Sequence, residues 1–166
     1  MKRAIIDIGT NSVRLLVAER PDGSEWKTVT KKVNSTRLGE GMANNKALSL
    51  AAKERTLAAV KTFADEARSA GISDLTAYGT AIFRDSPEGP EFAKAISETI
   101  KAPMHILTGK EEAFYSYIGA AGTSGALTAV VDIGGGSTEI CMGFGTDIGF
   151  RISFPLGCVR LSLIHI

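Results

Sequence analysis

One short pattern occurs twice in this chain and constrains its fold more than any other feature. Residues 4–12 (AIIDIGTNS) align without gaps on residues 129–137 (AVVDIGGGS), at an offset of 125 positions that carries Asp7 onto Asp132. Aspartate, isoleucine, glycine and serine recur at equivalent places, and each copy contains an apolar run before its glycine. The repeat predicts two related units, each opening with a strand, a tight turn and a second strand.

The residues of each turn are suited to binding phosphate. Glycine allows positive φ and a close approach of the backbone to a ligand, and successive N–H groups in a tight turn form an anion-binding concavity. Short hydroxyl and amide side chains add further donors. We expect phosphate contacts from Gly9, Thr10, Asn11 and Ser12 in the first turn and from Gly134, Gly135, Gly136, Ser137 and Thr138 in the second.

An aspartate stands at the end of the strand before each turn. A carboxylate does not bind phosphate directly, because like charges repel, so Asp7 and Asp132 are expected to hold Mg²⁺, directly or through water. Two such turns facing each other across a cleft would bind consecutive phosphates. The alternative is that each turn is an ordinary hairpin connection, in which Gly, Asn and Ser are common. Repetition with the aspartate retained favours the functional interpretation.

Other phosphate-binding motifs fit the sequence less well. The chain has no G-x-x-x-x-G-K-[ST] segment, which excludes a P-loop. Residues 134–136 do not match G-x-G-x-x-G, and the residues after them alternate like a strand instead of opening a helix, as a Rossmann turn would.

Composition excludes several classes of protein. The formal net charge of +1 gives no overall attraction to nucleic acid or to an anionic membrane. The two cysteines are too few for a disulfide framework. Residues 1–3 run directly into a short apolar strand, a pattern unlike a signal peptide or a membrane span, so we expect a cytoplasmic protein.

Hydrophobic periodicity and turn residues divide the chain into two lobes, residues 1–124 and 125–166. In the first lobe they predict the order βββαβαβα, with Ser49 as the N-cap of the first helix and Thr108 and Glu111 as a capping box for the third. The second lobe opens with three further strands. Three strands without covering helices would expose an apolar sheet face, so we expect this chain to associate and to be poorly active.

Five motifs follow one another along the chain. They lie at residues 6–15 (IDIGTNSVRL), 79–85 (GTAIFRD), 107–113 (LTGKEEA), 131–139 (VDIGGGSTE) and 155–161 (PLGCVRL). In this order they resemble the exopolyphosphatase and guanosine-pentaphosphate phosphohydrolase family of the actin, Hsp70 and sugar-kinase superfamily. The resemblance implies an α/β protein of the actin-like ATPase (ribonuclease H-like) fold. Its first lobe would hold a mixed five-stranded sheet, and its second lobe would begin with similar strands.

The same resemblance implies a reaction. It is the hydrolysis of a terminal phosphoanhydride bond in polyphosphate or guanosine pentaphosphate, with Mg²⁺ as the cofactor. The resemblance makes Glu112 the general base and gives Glu139 a role in positioning water or the metal. It also makes Arg14 and Arg84 candidates for phosphate contact. For Arg84 the alternative is an exposed ion pair, and for Arg14 it is an outward-facing position on a strand.

The two adjacent glutamates have different expected roles. Glu111 stands at the N3 position relative to Thr108, so it is expected to complete the capping box. Glu112 lies on the side of the helix opposite its apolar residues, at ~100° per residue, and so projects away from the core toward solvent or the cleft.

Two other functions stay open at this level. One is an ATP-dependent kinase of the same superfamily, against which the Glu112 segment argues, and the other is an inactive phosphate-binding fragment. The sequence leaves the choice between polyphosphate and guanosine pentaphosphate open, and a homodimer is an expected assembly. Residues 162–166 depart from the charged helix that the family resemblance would place there.

Overall fold

The computed structural model describes residues 1–42, 47–122 and 124–164. They form two compact units, Met1–Ile106 (unit 1) and Leu107–Ile166 (unit 2), each with its own sheet. Residues 165 and 166, the last of the atypical C-terminal segment, lie outside the described residues. None of the helices in the described part of the chain is long and apolar enough to cross a bilayer.

Unit 1 is an α/β unit built on a mixed sheet of five strands. The sheet order is β3-β2-β1-β4-β5, in which β1, β2 and β3 pair antiparallel and β4 and β5 run parallel to β1. The elements are β1 (Lys2–Ile8), β2 (Val13–Glu19), β3 (Lys27–Asn34), α1 (Leu50–Ser69), β4 (Leu75–Gly79), α2 (Ala81–Asp85), α3 (Gly89–Ile100) and β5 (Met104–Ile106). The predicted mixed five-stranded sheet is therefore confirmed.

The core of unit 1 forms between the sheet and its helices. Alternate residues of β1, namely Ala4, Ile6 and Ile8, are fully buried because a strand turns every second side chain to the same face. Helix α1 packs on β1 and β2, and it begins where the predicted N-cap, Ser49, accepts a hydrogen bond from the Ala52 N–H.

Unit 2 consists of a three-stranded antiparallel sheet and two helices. Its elements are α4 (Gly109–Ala121), β6 (Leu127–Ile133), β7 (Thr138–Phe144), β8 (Asp147–Phe154) and α5 (Cys158–Ile164). Helix α4 packs across all three strands, with Ala113 and Tyr117 buried against Cys141. The boundary drawn after residue 124 assigned α4 to the first lobe. In the structure its apolar side covers the second sheet, so the compact units divide before Leu107.

A capping box fixes the start of α4, as predicted. The Thr108 N–H donates to the Glu111 carboxylate at 2.7 Å, and the Glu111 N–H donates to the Thr108 hydroxyl at 3.2 Å. Two hydrogen bonds lower the pKa of Glu111 below its ordinary value. The larger effect comes from the Thr108 backbone N–H and the smaller from the Thr108 hydroxyl. Glu111 is thus committed to the helix terminus.

This lowered pKa predicts a pH-dependent loss of stability in Glu111→Ala. A carboxylate with a depressed folded-state pKa contributes stability that is present above its unfolded pKa and is lost as pH falls through the folded value. As the pH falls through that folded-state pKa, the difference in thermal midpoint between Glu111→Ala and the unchanged chain should shrink. The thermal midpoints are measured by circular dichroism. Glu54→Ala, at an exposed position of α1, is the control. A difference that stayed constant with pH would contradict the capping role.

One face of the second sheet is apolar and uncovered. Alternate residues of its strands point away from α4 and expose large side chains: Leu127, Val131, Ile133, Met142, Phe144, Phe150 and Phe154. The repeat makes Val131 equivalent to Ile6 and Ile133 equivalent to Ile8. Val131 and Ile133 are 57% and 68% exposed, whereas Ile6 and Ile8 are 0% exposed. Equivalent strand positions are therefore buried in unit 1 and open in unit 2.

We expect the chain to self-associate through this face. Seven such side chains expose on the order of 700 Å², close to the ~800 Å² that each partner contributes to a stable interface. Met142→Lys, on the central strand, places a charge within the face and should shift the chain toward monomer in light scattering after gel filtration. Val33→Lys, at an exposed apolar position on β3 of unit 1, is the control. A Met142→Lys chain that associates as strongly as the unchanged one would contradict the prediction.

Candidate functional site

The two predicted turns have the same closure. In the first, the Gly9 N–H donates to the Ser12 carbonyl at 2.9 Å, and in the second the Gly134 N–H donates to the Ser137 carbonyl, also at 2.9 Å. Each turn joins two antiparallel strands, so the predicted strand-turn-strand repeat is confirmed in three dimensions. Because the closure is identical, residues at equivalent positions can be compared between the units.

Both turns leave backbone donors unused. Within the described residues, no group accepts a hydrogen bond from the N–H of Thr10 or Asn11, or from that of Gly135 or Gly136. Gly136 and the neighbouring Ser137 are buried, where an N–H without an acceptor is rare and calls for a ligand or water. Consecutive unused donors of this kind are what anion binding requires.

In unit 1 the aspartate before the turn has a basic partner. Asp7 and Arg14 face each other across β1 and β2, and an Arg14 guanidinium nitrogen donates to the Asp7 carboxylate at 3.2 Å. Thr10 is buried, Ser12 is half-buried and Asn11 is exposed. The structure thus brings together the predicted residues of the first turn, with Arg14 bound to Asp7.

In unit 2 the equivalent position carries a second acid. The offset of 125 makes Glu139 the counterpart of Arg14, and Glu139 faces Asp132 across β6 and β7. Each carboxylate is held by a serine. The Ser153 hydroxyl donates to Glu139 at 2.7 Å, and the Ser116 hydroxyl donates to Asp132. Glu139 is only 2% exposed, whereas Asp132 is exposed, so a buried acid and an exposed acid lie next to each other at the end of the strands.

Helix α4 brings the predicted general base to the same unit. Glu112 and Ser116 are four residues apart and so lie on one side of the helix, one turn from each other. Because Ser116 contacts Asp132, that side of α4 meets the end of β6 that leads into the second turn. Glu112 is half-buried there. The structure therefore places Glu112, Asp132 and Glu139 in one compact unit.

One other predicted residue, Thr138, is placed less directly for binding phosphate. The Thr138 hydroxyl donates to the Leu156 carbonyl at 2.6 Å, which uses its proton within unit 2. Arg84 is half-buried in the last turn of α2, in unit 1.

The acidic pair is the part of the site that suits a divalent cation. Mg²⁺ is commonly bound by one or two carboxylates together with water and substrate phosphate oxygens, and Asp132 and Glu139 supply two such carboxylates side by side. Among the described residues, no group of three or more His, Cys, Asp or Glu side chains is arranged to hold a metal by itself. The two carboxylates are suited to a cation that takes its remaining ligands from water and a bound phosphate.

Sequence reasoning missed the two serines that hold the acidic pair. Ser116 had a usable signal, because it stands four residues after Glu112. No sequence signal pointed to Ser153, because the register between β7 and β8 shifts between Met142 and Gly143. Counting back from a simple hairpin turn would pair Glu139 with Ile152 and would place Ser153 on the wrong face.

Loss of the Ser153 hydroxyl should destabilise unit 2. Ser153→Ala leaves a buried carboxylate oxygen of Glu139 without its donor, which costs about 1–3 kcal/mol. Ser153→Thr keeps the hydroxyl and suits a strand, so it should stay near the unchanged chain. The check is the free energy of urea unfolding for the three chains. Equal values for the Ala and Thr variants would show that this hydrogen bond does not stabilise the fold.

Comparison with known proteins finds one family over most of the chain. The sequence profile of the Ppx/GppA phosphatase family matches residues 16–163. A guanosine-5'-triphosphate,3'-diphosphate pyrophosphatase of Vibrio cholerae is 36% identical over 158 residues, which are 94% of this chain and 32% of that protein. The chain therefore spans about a third of the length of the curated relatives it matches.

Solved structures show the same fold. The Aquifex aeolicus member of the Ppx/GppA family superposes with a TM-score of 0.83 at 29% identity, covering 98% of this chain and 53% of that one. An exopolyphosphatase from Cytophaga hutchinsonii superposes with a TM-score of 0.89 at 24% identity, covering 98% of this chain and 53% of that one. The predicted α/β fold of the actin-like ATPase type is confirmed.

Proposed function

Because this chain belongs to the Ppx/GppA phosphatase family, we propose that it contains the catalytic unit of a metal-dependent hydrolase of terminal phosphoanhydride bonds. The observation that carries the proposal is the acidic pair beside the second turn. At the position where unit 1 has the Asp7–Arg14 ion pair, unit 2 has Asp132 next to Glu139. Two adjacent carboxylates repel each other, and a cation shared with a phosphate bound at the turn would relieve that repulsion.

Each residue has a role that follows from its place. The N–H groups of Gly135 and Gly136, with the Ser137 hydroxyl, bind a phosphate of the substrate. Asp132 and Glu139 would hold Mg²⁺, which would neutralise charge on the phosphate oxygens. Glu112 accepts a proton from the water whose oxygen attacks the terminal phosphorus, and the bond from that phosphorus to the bridging oxygen breaks.

The first turn provides the second phosphate-binding element of this proposal. Gly9, Thr10, Asn11 and Ser12 offer the same kind of backbone and hydroxyl donors, and Arg14 and Arg84 add positive charge in unit 1. Asp7, through its ion pair with Arg14, is the less favoured of the predicted metal ligands. We therefore assign the metal to Asp132 and Glu139.

The substrate classes come from the relatives. The Vibrio cholerae protein is named for guanosine-5'-triphosphate,3'-diphosphate and the Cytophaga hutchinsonii protein for polyphosphate, so we propose these two phosphoanhydride substrates for the longer proteins and test both on this chain. A cytoplasmic location, without nucleic acid or membrane as a partner, belongs to the same proposal.

Glu112→Gln tests the assigned base. We expect release of orthophosphate from polyphosphate or guanosine pentaphosphate to fall by about 10²–10⁴-fold, the usual contribution of a general base, while binding of tripolyphosphate is retained. Release is measured with and without Mg²⁺, with ATP as a comparison substrate, and binding is measured by titration calorimetry. Glu111→Gln is the matched control, since that carboxylate caps α4.

The outcomes separate the alternatives. Equal release by Glu112→Gln and the unchanged chain would refute the base. Binding without release by the unchanged chain would support a phosphate-binding fragment, and release that does not depend on Mg²⁺ would refute the metal site. Transfer of phosphate from ATP to an added acceptor, without release from polyphosphate, would favour the kinase alternative.

A further inference from the structure

A Leu-Gly pair lies against each turn, and the pair is repeated like the turn itself. Leu38-Gly39 follows β3 in unit 1, and Leu156-Gly157 follows β8 in unit 2. Their offset is 118 positions, whereas that of the turns is 125, so an ungapped comparison of the two repeats does not align them. We call residues 37–39 and 156–160 the first and second Leu-Gly segments.

In unit 1 the first Leu-Gly segment binds the backbone carbonyls of the turn. The Gly39 N–H donates to the Thr10 carbonyl and the Arg37 N–H donates to the Asn11 carbonyl, each at 2.9 Å. A Cβ on Gly39 would come within 2.5 Å of the Thr10 methyl carbon. Leu38, between the two donors, is fully buried and anchors the segment in the core.

In unit 2 the second Leu-Gly segment also binds backbone carbonyls of the turn, but its donors are the residues that follow its glycine. The Cys158 N–H donates to the Gly134 carbonyl and the Val159 N–H donates to the Gly135 carbonyl, each at 3.0 Å. A Cβ on Gly157 would come within 2.4 Å of the Gly135 carbonyl carbon and oxygen. The offset of 125 makes Gly135 the counterpart of Thr10, so both glycines meet the same position of the turn.

These hydrogen bonds determine which way the turn amides point. In a trans peptide, the carbonyl of one residue and the N–H of the next point in opposite directions. With the carbonyls of Thr10 and Gly135 bound to the Leu-Gly segments, the N–H groups of Asn11 and Gly136 point away from those segments. They are among the N–H groups for which the described residues supply no acceptor.

We propose that the two Leu-Gly segments are positioning elements that orient the anion-binding N–H groups of the turns. The proposal rests on the function proposed above. It assigns to Gly157 a close approach to the turn backbone and to Gly39 a close approach to the Thr10 methyl group. The N–H groups of Cys158 and Val159 fix the second turn. The side chain of Cys158 is exposed and takes no part.

Cys158→Pro isolates one of these hydrogen bonds. Proline has no N–H, so the variant loses the bond to the Gly134 carbonyl. Cys158 is the first helical residue of α5, a position where proline is tolerated. Cys158→Ala keeps the N–H and is the matched control. Gly157→Ala pushes the segment away from the turn, and Gly149→Ala, whose Cβ would meet nothing within 4 Å, is its control.

The measurement is binding of tripolyphosphate to the full 166-residue chain by titration calorimetry, with circular dichroism as a check on folding. We expect Cys158→Pro and Gly157→Ala to raise Kd about tenfold, the change that corresponds to one lost or misplaced hydrogen bond. Gly39→Ala should have a smaller effect, because it meets a side-chain methyl and not backbone. Cys158→Ala and Gly149→Ala should leave Kd unchanged.

The outcomes distinguish this proposal from the one it rests on. A folded Cys158→Pro chain that binds tripolyphosphate as tightly as the unchanged chain would overturn the positioning role while leaving the proposed function intact. If Gly157→Ala does not fold, Cys158→Pro alone decides. Absence of tripolyphosphate binding by the unchanged chain would overturn both proposals.

Discussion

The hydrogen bond that closes each turn sets the register on which the rest of the site depends. When the Gly134 N–H binds the Ser137 carbonyl, Ile133 pairs with Thr138, and the next pair along the strands is Asp132 with Glu139. The same closure in unit 1 pairs Asp7 with Arg14. One backbone geometry thus presents an ion pair in one unit and two like charges in the other. The difference in charge at the end of the two strand pairs therefore comes from one side-chain position on the second strand, Arg14 in unit 1 and Glu139 in unit 2.

Helix α4 and strand β8 make the like-charged pair tolerable within the fold. The buried carboxylate of Glu139 needs a donor, which Ser153 supplies, and Ser116 donates to the exposed carboxylate of Asp132. The same helix carries Glu112 one turn before Ser116. One packed unit therefore both stabilises the two acids and positions the proposed base. The Thr108–Glu111 capping box fixes the N-terminus of α4 in that unit.

How much of this was predictable depends on how far apart in sequence the interacting residues lie. The turns and the capping box follow from short-range patterns such as strand alternation and cap spacing, and the mixed sheet follows from the family resemblance; these predictions are confirmed. The packing of α4 on the second sheet did not follow, because an apolar helix face does not specify which sheet it covers. The pairing of Ser153 with Glu139 depends on a register shift between β7 and β8. The contacts of Gly39 and Gly157 with the turns depend on loops of different length in the two units.

The two faces of the second sheet have separate consequences. Asp132, Glu139 and Ser153 lie on the face that α4 covers, while Val131, Met142 and Phe150 lie on the opposite, exposed face. Side chains alternate strictly along a strand, so a change on the apolar face reaches the site only through the backbone. A partner that covers the apolar face would affect the association and the rigidity of unit 2. The acidic pair, its serines and the second Leu-Gly segment are already in place without it.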